Sequence, residues 1–196
     1  METKKEIRNR ILSVREQLPK EDWEKATESI ARKVAALRAY REASAIYCYV
    51  DYRGEVGTQK IMEDAWVRRK TVAVPKVEGK IMQFYRIDNL RQLNPGAYGI
   101  LEPEGAPGER QIPDENKKEV LIMPGSAFDL EGGRIGYGGG FYDKYMAQYP
   151  SLTAIAIAFD LQIVDHIPVE ETDRRPDILI TETRSIIYAD GSEKEP

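Results

Sequence analysis

A glycine-rich stretch near the middle of the chain holds the residues best suited to bind a charged ligand. It follows a short apolar run, Val120 to Met123, and it precedes aromatic residues that recur at helical spacing. A strand, a glycine loop and a helix in this order direct backbone N–H groups and a helix N-terminus towards an anion. Glycine suits such a loop because a phosphate can approach its backbone closely. The stretch from Gly125 to Tyr145 therefore predicts an anion site.

Charged side chains within this stretch add to its chemistry. Arg134 and Lys144 supply cations, and Asp129 and Asp143 supply oxygens that suit a hard cation such as Mg²⁺. The spacing of the glycines in Gly136–Gly140 matches neither the P-loop nor the dinucleotide motif. A flexible loop without a ligand is the alternative, and the aromatic residues between the glycines argue against it. The glycines alone indicate an anion site without naming the ligand.

The N-terminal segment offers a second group of cations. Apolar residues at helical spacing predict an amphipathic helix over residues 3–18, ended by Pro19. Lys4, Arg8 and Arg15 form a stripe directly beside its apolar face. Cations in that position lie at the rim of whatever the helix packs on and can reach into a cleft. An ordinary solvated face is the alternative that the spacing leaves open.

Strands that alternate with helices position these residues. Helices are predicted over residues 21–39 and 58–69, on either side of a strand at residues 43–50. Glu55 follows that strand, at the edge where open α/β sheets bind ligands. Further strands are predicted at residues 71–75, 120–123, 152–159, 178–181 and 185–188. The pattern predicts an α/β fold over residues 1–196: a single three-layer, Rossmann-like domain with a mostly parallel central sheet flanked by helices.

Composition narrows the class of protein. The 196 residues carry a net charge of −4, which argues against a nucleic-acid partner. No apolar run reaches membrane-spanning length, so no membrane partner is expected. The single cysteine, Cys48, lies in an apolar strand and is expected to be a buried, inert thiol. The single histidine, His166, excludes His-dependent triads and argues against a zinc site. We expect a cytoplasmic protein.

The glycine-rich stretch resembles the signature of 5-formyltetrahydrofolate cyclo-ligases, also called 5,10-methenyltetrahydrofolate synthetases. The resemblance runs from Gly125-Ser126-Ala127-Phe128-Asp129 to Gly133-Arg134-Ile135-Gly136-Tyr137-Gly138-Gly139-Gly140-Phe141-Tyr142-Asp143. Thr172 departs from the pattern, because the family often has His before the aspartate that matches Asp173. Other matching segments cover nearly the whole chain in the expected order: Lys4-x-x-x-Arg8, Glu55-Val56-x-Thr58, Tyr98 to Pro103, Ile167-Pro168, Asp173, Asp177 and Thr181-Glu182.

The resemblance implies a Mg²⁺-requiring enzyme that uses ATP to convert 5-formyltetrahydrofolate to 5,10-methenyltetrahydrofolate, ADP and phosphate. We expect a monomer, although the sequence does not give the oligomeric state. The resemblance also implies phosphorylation of the formyl oxygen followed by attack of N10. The implied catalytic residues are Lys4, Arg8, Arg134 and Tyr142, and the implied metal ligands are Asp143 and Asp173. The implied ATP-binding residues are Lys4, Lys5, Glu6, Ile7, Arg8, Arg134, Ile135, Gly136, Tyr137, Gly138, Gly139, Gly140, Phe141 and Tyr142. The implied folate-binding residues are Val50, Glu55, Tyr137, Gly138, Gly139, Gly140 and Phe141.

Two other functions are compatible with the residues themselves. A relative of sugar-phosphate isomerases or CoA transferases would share the α/β scaffold and use the glycine loop for phosphate, without ATP. A folate- or nucleotide-binding module would bind the same ligands without turnover. ATP hydrolysis that depends on 5-formyltetrahydrofolate excludes the first alternative, and formation of the methenyl product excludes the second.

Overall fold

The computed structural model describes residues 2–96 and 99–188, so the predicted landmark Tyr98 lies outside the described residues. The helices are α1 (Lys4–Arg15), α2 (Lys20–Ala36), α3 (Arg38–Glu42), α4 (Gln59–Val67) and α5 (Phe141–Gln148). The strands are β1 (Ala45–Cys48), β2 (Thr71–Glu78), β3 (Ile81–Ile87), β4 (Leu93–Pro95), β5 (Leu101–Pro103), β6 (Arg110–Gln111), β7 (Glu119–Met123), β8 (Ala127–Phe128), β9 (Arg134–Ile135), β10 (Thr153–Ile157), β11 (Ile178–Ile180) and β12 (Ser185–Ile187).

The centre of the fold is an eight-stranded sheet in the order β12-β11-β10-β7-β1-β2-β3-β6. The five strands from β11 to β2 run parallel, and β12, β3 and β6 pair antiparallel at the two edges. All residues of β1 and β7 are buried, which explains their continuous apolar sequences, since helices cover both faces of the sheet. The predicted α/β fold with a mostly parallel central sheet is confirmed.

Alternate side chains of β1 enter two separate cores. Ile46 and Cys48 pack with residues of α2, α3 and α4, whereas Tyr47 packs on the other face with Tyr145 of α5. Cys48 is fully buried, as predicted, and burial raises the pKa of its thiol. In the part of the chain that the structure describes, no helix is long and apolar enough to cross a membrane. The cytoplasmic location stays a prediction.

Two local elements differ from the sequence prediction. The helix expected over residues 21–39 is divided, because Leu37 is extended (ψ 135°) between α2 and α3. This break buries Tyr40, whose single hydroxyl hydrogen is shared between the Ile61 carbonyl and the Asp64 carboxylate. The glycine-rich loop also contains a hairpin, β8–β9, whose two-residue strands are too short to give an alternation pattern.

The first helix packs on this hairpin. Ile7 and Ile11 of α1 form a small core with Ala127, Ile135 and Ile167. Thr3 caps the helix, and Glu6 completes the capping box by accepting from the Thr3 backbone N–H at 2.8 Å. This packing fixes the cationic stripe of α1 beside the turn that follows β9.

Candidate functional site

The turn from Gly136 to Gly140 connects β9 to α5 at the carboxyl edge of the sheet. Gly138 (φ +100°) and Gly140 (φ +62°) have left-handed backbone conformations, and Gly140 is the N-cap of α5. A Cβ atom on Gly139 would lie 2.5 Å from the Phe141 ring, so a side chain there would force the ring to move. The turn therefore presents a bare backbone and a helix N-terminus, as a site for phosphate requires.

Two cations of α1 contact the turn and the loop that carries Asp173. Arg8 donates from Nε to the Gly136 carbonyl at 2.8 Å. Lys4, one helical turn earlier, lies 2.6 Å from Asp173 Oδ2 and 3.1 Å from Glu170 Oε1. Arg8 of the predicted stripe thus contacts the turn and Lys4 contacts the loop of Asp173. The assignment of both residues to ATP stays a prediction.

The other residues of the implied ATP segment in α1 face elsewhere. Ile7 is buried in the small core under the helix. Glu6 is exposed and is engaged in the capping box, and Lys5 is exposed. Among residues 4–8, Lys4 and Arg8 are the two whose side chains contact the turn or the loop of Asp173.

Arg134 and Asp143 hold the turn from the inside. Arg134 is buried and donates from Nη2 to Asp143 Oδ1 at 2.8 Å. The same carboxylate oxygen accepts the backbone N–H of Arg174 at 3.1 Å. Tyr142 lies beside this pair, with its ring centroid 6.0 Å from Arg134 Cζ, and burial raises the pKa of its hydroxyl. The pair ties the start of α5 to β9 and to the loop that carries Asp173.

Glu55 provides a buried carboxylate at the same edge of the sheet. It is 6% exposed, and its two oxygens accept from the Tyr137 hydroxyl at 2.5 Å and the Tyr52 backbone N–H at 2.9 Å. The Trp23 indole donates to its backbone carbonyl at 2.8 Å. Burial raises the pKa of Glu55, although these hydrogen bonds and the charge of Arg15 oppose the shift. Val50, the second residue after β1, is half-buried.

Arg15 joins this group, although the sequence placed it only in the cationic stripe. It is 3% exposed and donates from Nη2 to the Tyr137 hydroxyl at 2.9 Å and to the Arg53 carbonyl at 3.0 Å. Its position seven residues after Arg8 is the one signal that could have marked it. Its contact with the turn depends on how α1 packs, which helical spacing does not give.

Two aspartates, Asp143 and Asp173, are the metal ligands that the family resemblance implies. Within residues 2–96 and 99–188, no three His, Cys, Asp or Glu side chains are grouped closely enough to hold a metal ion. Asp143 is engaged with Arg134, and Asp173 with Lys4. Two carboxylates fit Mg²⁺ that is also held by substrate phosphates, which is the usual arrangement for this ion. His166 is exposed on the surface.

Asp129 has a structural role and not the cation-binding role that the sequence suggested. Its Oδ1 accepts the backbone N–H groups of Gly133 (2.7 Å) and Glu131 (3.0 Å), and its Oδ2 accepts that of Ile167 (2.9 Å). The residue is 1% exposed. Three backbone N–H groups, from its own loop and from the segment at Ile167, therefore engage both oxygens of this buried carboxylate.

Asp129→Asn should lower the free energy of unfolding by about 2–4 kcal/mol, because the amide NH₂ group would face a buried N–H donor. Urea denaturation measures the change. Asp165→Asn, at an exposed position nearby, is the control and should change stability by less than about 0.5 kcal/mol. Equal unfolding midpoints for the two variants would contradict the structural role.

Comparisons with known proteins identify the family of this chain. A model described as the 5-formyltetrahydrofolate cyclo-ligase family matches residues 1–182. A 5-formyltetrahydrofolate cyclo-ligase from Haemophilus influenzae is 27% identical over 175 residues, which cover 87% of this chain and 92% of the relative. The one from Escherichia coli K12 is 31% identical over 137 residues, covering 67% and 74%.

Solved structures show the same architecture. The NMR structure of Aquifex aeolicus 5,10-methenyltetrahydrofolate synthetase superimposes with a TM-score of 0.83 at 30% identity, covering 98% of this chain and 96% of that chain. A 5,10-methenyltetrahydrofolate synthetase from Mycoplasma pneumoniae, at 22% identity and a TM-score of 0.72, shares the fold. The chain belongs to the 5-formyltetrahydrofolate cyclo-ligase family.

Proposed function

We propose that the residues around the glycine turn carry out the ATP-dependent conversion of 5-formyltetrahydrofolate to 5,10-methenyltetrahydrofolate. One observation carries this assignment: Tyr137 of the turn contacts buried Glu55, and Gly136 of the same turn contacts Arg8 of α1. A cationic phosphate site and a carboxylate suited to a pterin thus share one turn. A phosphoryl group and a folate formyl group must meet in the same way for the reaction to occur.

The chemistry requires an activated oxygen. The formyl oxygen attacks the γ-phosphorus of ATP, the bond to the bridging oxygen breaks, and ADP leaves. N10 of the folate then attacks the formyl carbon of the resulting iminium phosphate and loses its proton. The C–O bond to the phosphate then breaks, and phosphate departs with its electron pair. The methenyl bridge remains. Phosphoryl transfer depends mainly on positioning and on charge neutralisation, so no covalent nucleophile is needed.

Different elements of the chain supply the positioning and the charge neutralisation. Lys4, Arg8 and the backbone N–H groups of Gly138–Gly140 bind the triphosphate. Arg134 and Asp143 fix the position of the turn, while Tyr142 covers Arg134. When bound, Mg²⁺ neutralises charge on the phosphates, and Asp143 and Asp173 are the carboxylates that would hold it. The glycine turn and Phe141 cover the folate, whose pterin lies against Val50 and Glu55.

The direct test mixes the enzyme with ATP, Mg²⁺ and 5-formyltetrahydrofolate and follows the near-ultraviolet absorbance of the methenyl product. Product should form only when all three are present, with one ADP released per turnover. Removal of Mg²⁺ by EDTA should stop the reaction. Binding of both substrates without product would instead indicate a binding module, and turnover without ATP would indicate an isomerase or transferase relative.

Lys4→Ala should raise KM for ATP by about tenfold to a hundredfold, the cost of one charge-assisted hydrogen bond to phosphate. KM for the folate should change little. Initial rates at varied ATP measure the effect, and circular dichroism checks the fold. Arg10→Ala removes an exposed cation of the same helix and serves as the control. Normal ATP saturation in Lys4→Ala would remove Lys4 from the site.

Folate-dependent turnover should fall as the pH decreases through the raised pKa of Glu55. Burial disfavours the charged carboxylate, yet only the charged form can accept two hydrogen bonds from the N–H edge of a pterin. The acid limb of kcat/KM for the folate should therefore lie above the ordinary pKa of 4.5. The same limb should be absent from the pH profile of Glu55→Gln, and its persistence there would assign it to another group.

We also propose that residues 1–196 work as one domain and as a monomer, since a single chain supplies every group assigned to the site. Light scattering of the active enzyme, with and without ATP, tests this. A dimer that loses activity on dilution would contradict it.

A further inference from the structure

Arg15 is buried and contacts no carboxylate directly, although the charge of Glu55 lies near it. Its side chain is 3% exposed, and it forms no salt bridge with any residue in the described part of the chain. Nε and Nη1 are shielded from water and have no hydrogen-bond partner among the described residues. Each unsatisfied buried donor destabilises the protein, and a buried unpaired charge does so more strongly. A guanidinium kept in this state is expected to serve a ligand rather than the fold.

The Tyr137 hydroxyl links Arg15 to Glu55. It accepts a hydrogen bond from Arg15 Nη2 at 2.9 Å and donates one to Glu55 Oε1 at 2.5 Å. Tyr137 is half-exposed and lies in the turn between Gly136 and Gly138, so only its tip enters the buried pair. The Tyr137 hydroxyl is thus both the donor to Glu55 and the acceptor from Arg15, and it belongs to a half-exposed side chain between two glycines.

Folate carries the same donor and acceptor side by side. The pyrimidine ring of its pterin has a 2-amino group, an N3–H and a 4-oxo group in a row, which read donor, donor, acceptor. A carboxylate accepts from the first two, and a neighbouring guanidinium donates to the third. Glu55 and Arg15, held within reach of one hydroxyl, present this complementary order.

We propose that Arg15 recognises the 4-oxo group of the folate pterin beside Glu55, and that the Tyr137 hydroxyl fills this position until folate displaces it. The inference rests on the proposed function and extends it by naming the ring edge that is recognised. This proposal explains why nitrogens of Arg15 have no partner among the described residues. A planar ring edge can engage more of the guanidinium than one hydroxyl does.

The test compares 5-formyltetrahydrofolate with its 4-amino analogue, in which an amino donor replaces the 4-oxo acceptor and N3 loses its hydrogen. Because the change at N3 affects Glu55 in every variant, the difference in preference between the wild type and the Arg15 variants reports the role of Arg15. Calorimetry gives the dissociation constants for the wild type, Arg15→Met and Arg15→Lys. The wild type should prefer the 4-oxo compound by at least about a hundredfold, because a site built to bond a polar group rejects analogues that lack it. Arg15→Met should reduce this preference by at least about tenfold, and Arg15→Lys should retain part of it.

The ratio of affinities separates recognition from structural support. A purely structural Arg15 would weaken both ligands equally and leave the preference unchanged, which would overturn the proposal. So would a wild-type enzyme without a 4-oxo preference. Arg15→Lys keeps a buried cation, and its ratio of affinities tests the proposal if Arg15→Met does not fold.

Methenyl formation by the same wild-type sample is measured in parallel. The absence of product contradicts the proposed function. An active enzyme whose affinity ratio is unchanged in the Arg15 variants contradicts only this inference.

Tyr137→Phe tests the displacement. Removing the hydroxyl abolishes the bonds that folate must replace, so the affinity for 5-formyltetrahydrofolate should rise by about twofold to fivefold. The preference for the 4-oxo compound should remain. An affinity equal to or below that of the wild type would show that the hydroxyl does not compete with folate and would overturn this part of the proposal.

Discussion

Replacing Glu55 with alanine should lower kcat/KM for 5-formyltetrahydrofolate by about 10³-fold and leave KM for ATP nearly unchanged. The carboxylate is 6% exposed, so water does not readily take its place. Its loss also removes the acceptor of the Tyr137 hydroxyl and the nearby opposite charge that offsets Arg15. Removing one partner from a buried charged network costs about 2–5 kcal/mol of binding free energy, and a decrease of about 10³-fold falls within this range. Initial rates at varied folate and saturating ATP measure the effect.

Glu119 provides a matched control for this variant. It is also a buried glutamate, and its carboxylate also accepts from one backbone N–H, that of Asp114, and one tyrosine hydroxyl, that of Tyr47. It begins β7 and so lies at the amino edge of the sheet, opposite the proposed site. Glu119→Ala should destabilise the protein to a similar extent while KM for the folate stays within about twofold. If both variants lose folate affinity equally, the effect is one of stability, and Glu55 does not bind the pterin.

The cationic face of α1 was predictable from the sequence because its cause is local. Lys4, Arg8 and Arg15 share a stripe wherever the helix lies, since the helical period fixes their relative directions. What the stripe faces is not local. The meeting of Arg15 with Tyr137 joins residues 122 positions apart. It follows from the packing of α1 on the β8–β9 hairpin, and that hairpin has too few residues to give a pattern.

The roles of Trp23 and Asp129 show the same limit. Helical spacing correctly predicts that Trp23 packs against the core. The spacing gives no sign that its indole N–H braces the Glu55 carbonyl. Asp129 has the residue type and position of a metal ligand, and only the geometry shows that backbone amides occupy its oxygens. Residue type predicts which chemistry is possible, whereas the partners that a folded chain has already supplied decide which chemistry remains.

Replacing Gly138 with alanine should lower kcat/KM for ATP by about 10²-fold. The residue has a φ of +100°, where a side chain strains the backbone by about 1–3 kcal/mol. A Cβ atom there would also lie 3.7 Å from Arg8 Nη1, on the side where the triphosphate is proposed to bind. Relief of the strain moves the backbone N–H groups of the turn, and displacements of about 1 Å in a phosphate site cost rate factors of this size. Initial rates at varied ATP provide the measurement.

Gly79→Ala is the control that separates an effect on ATP binding from an effect of backbone strain. It also has a positive φ (+64°), in the β2–β3 hairpin, and no atom lies within 4 Å of a Cβ placed there. Gly79→Ala should therefore cost about 1–2 kcal/mol of stability without changing ATP saturation. If Gly138→Ala stays within twofold of Gly79→Ala in kcat/KM for ATP, the backbone of the turn does not bind the triphosphate. A large difference between two variants of similar stability would instead place the phosphates on the turn, because strain is common to both and contact with ATP is not.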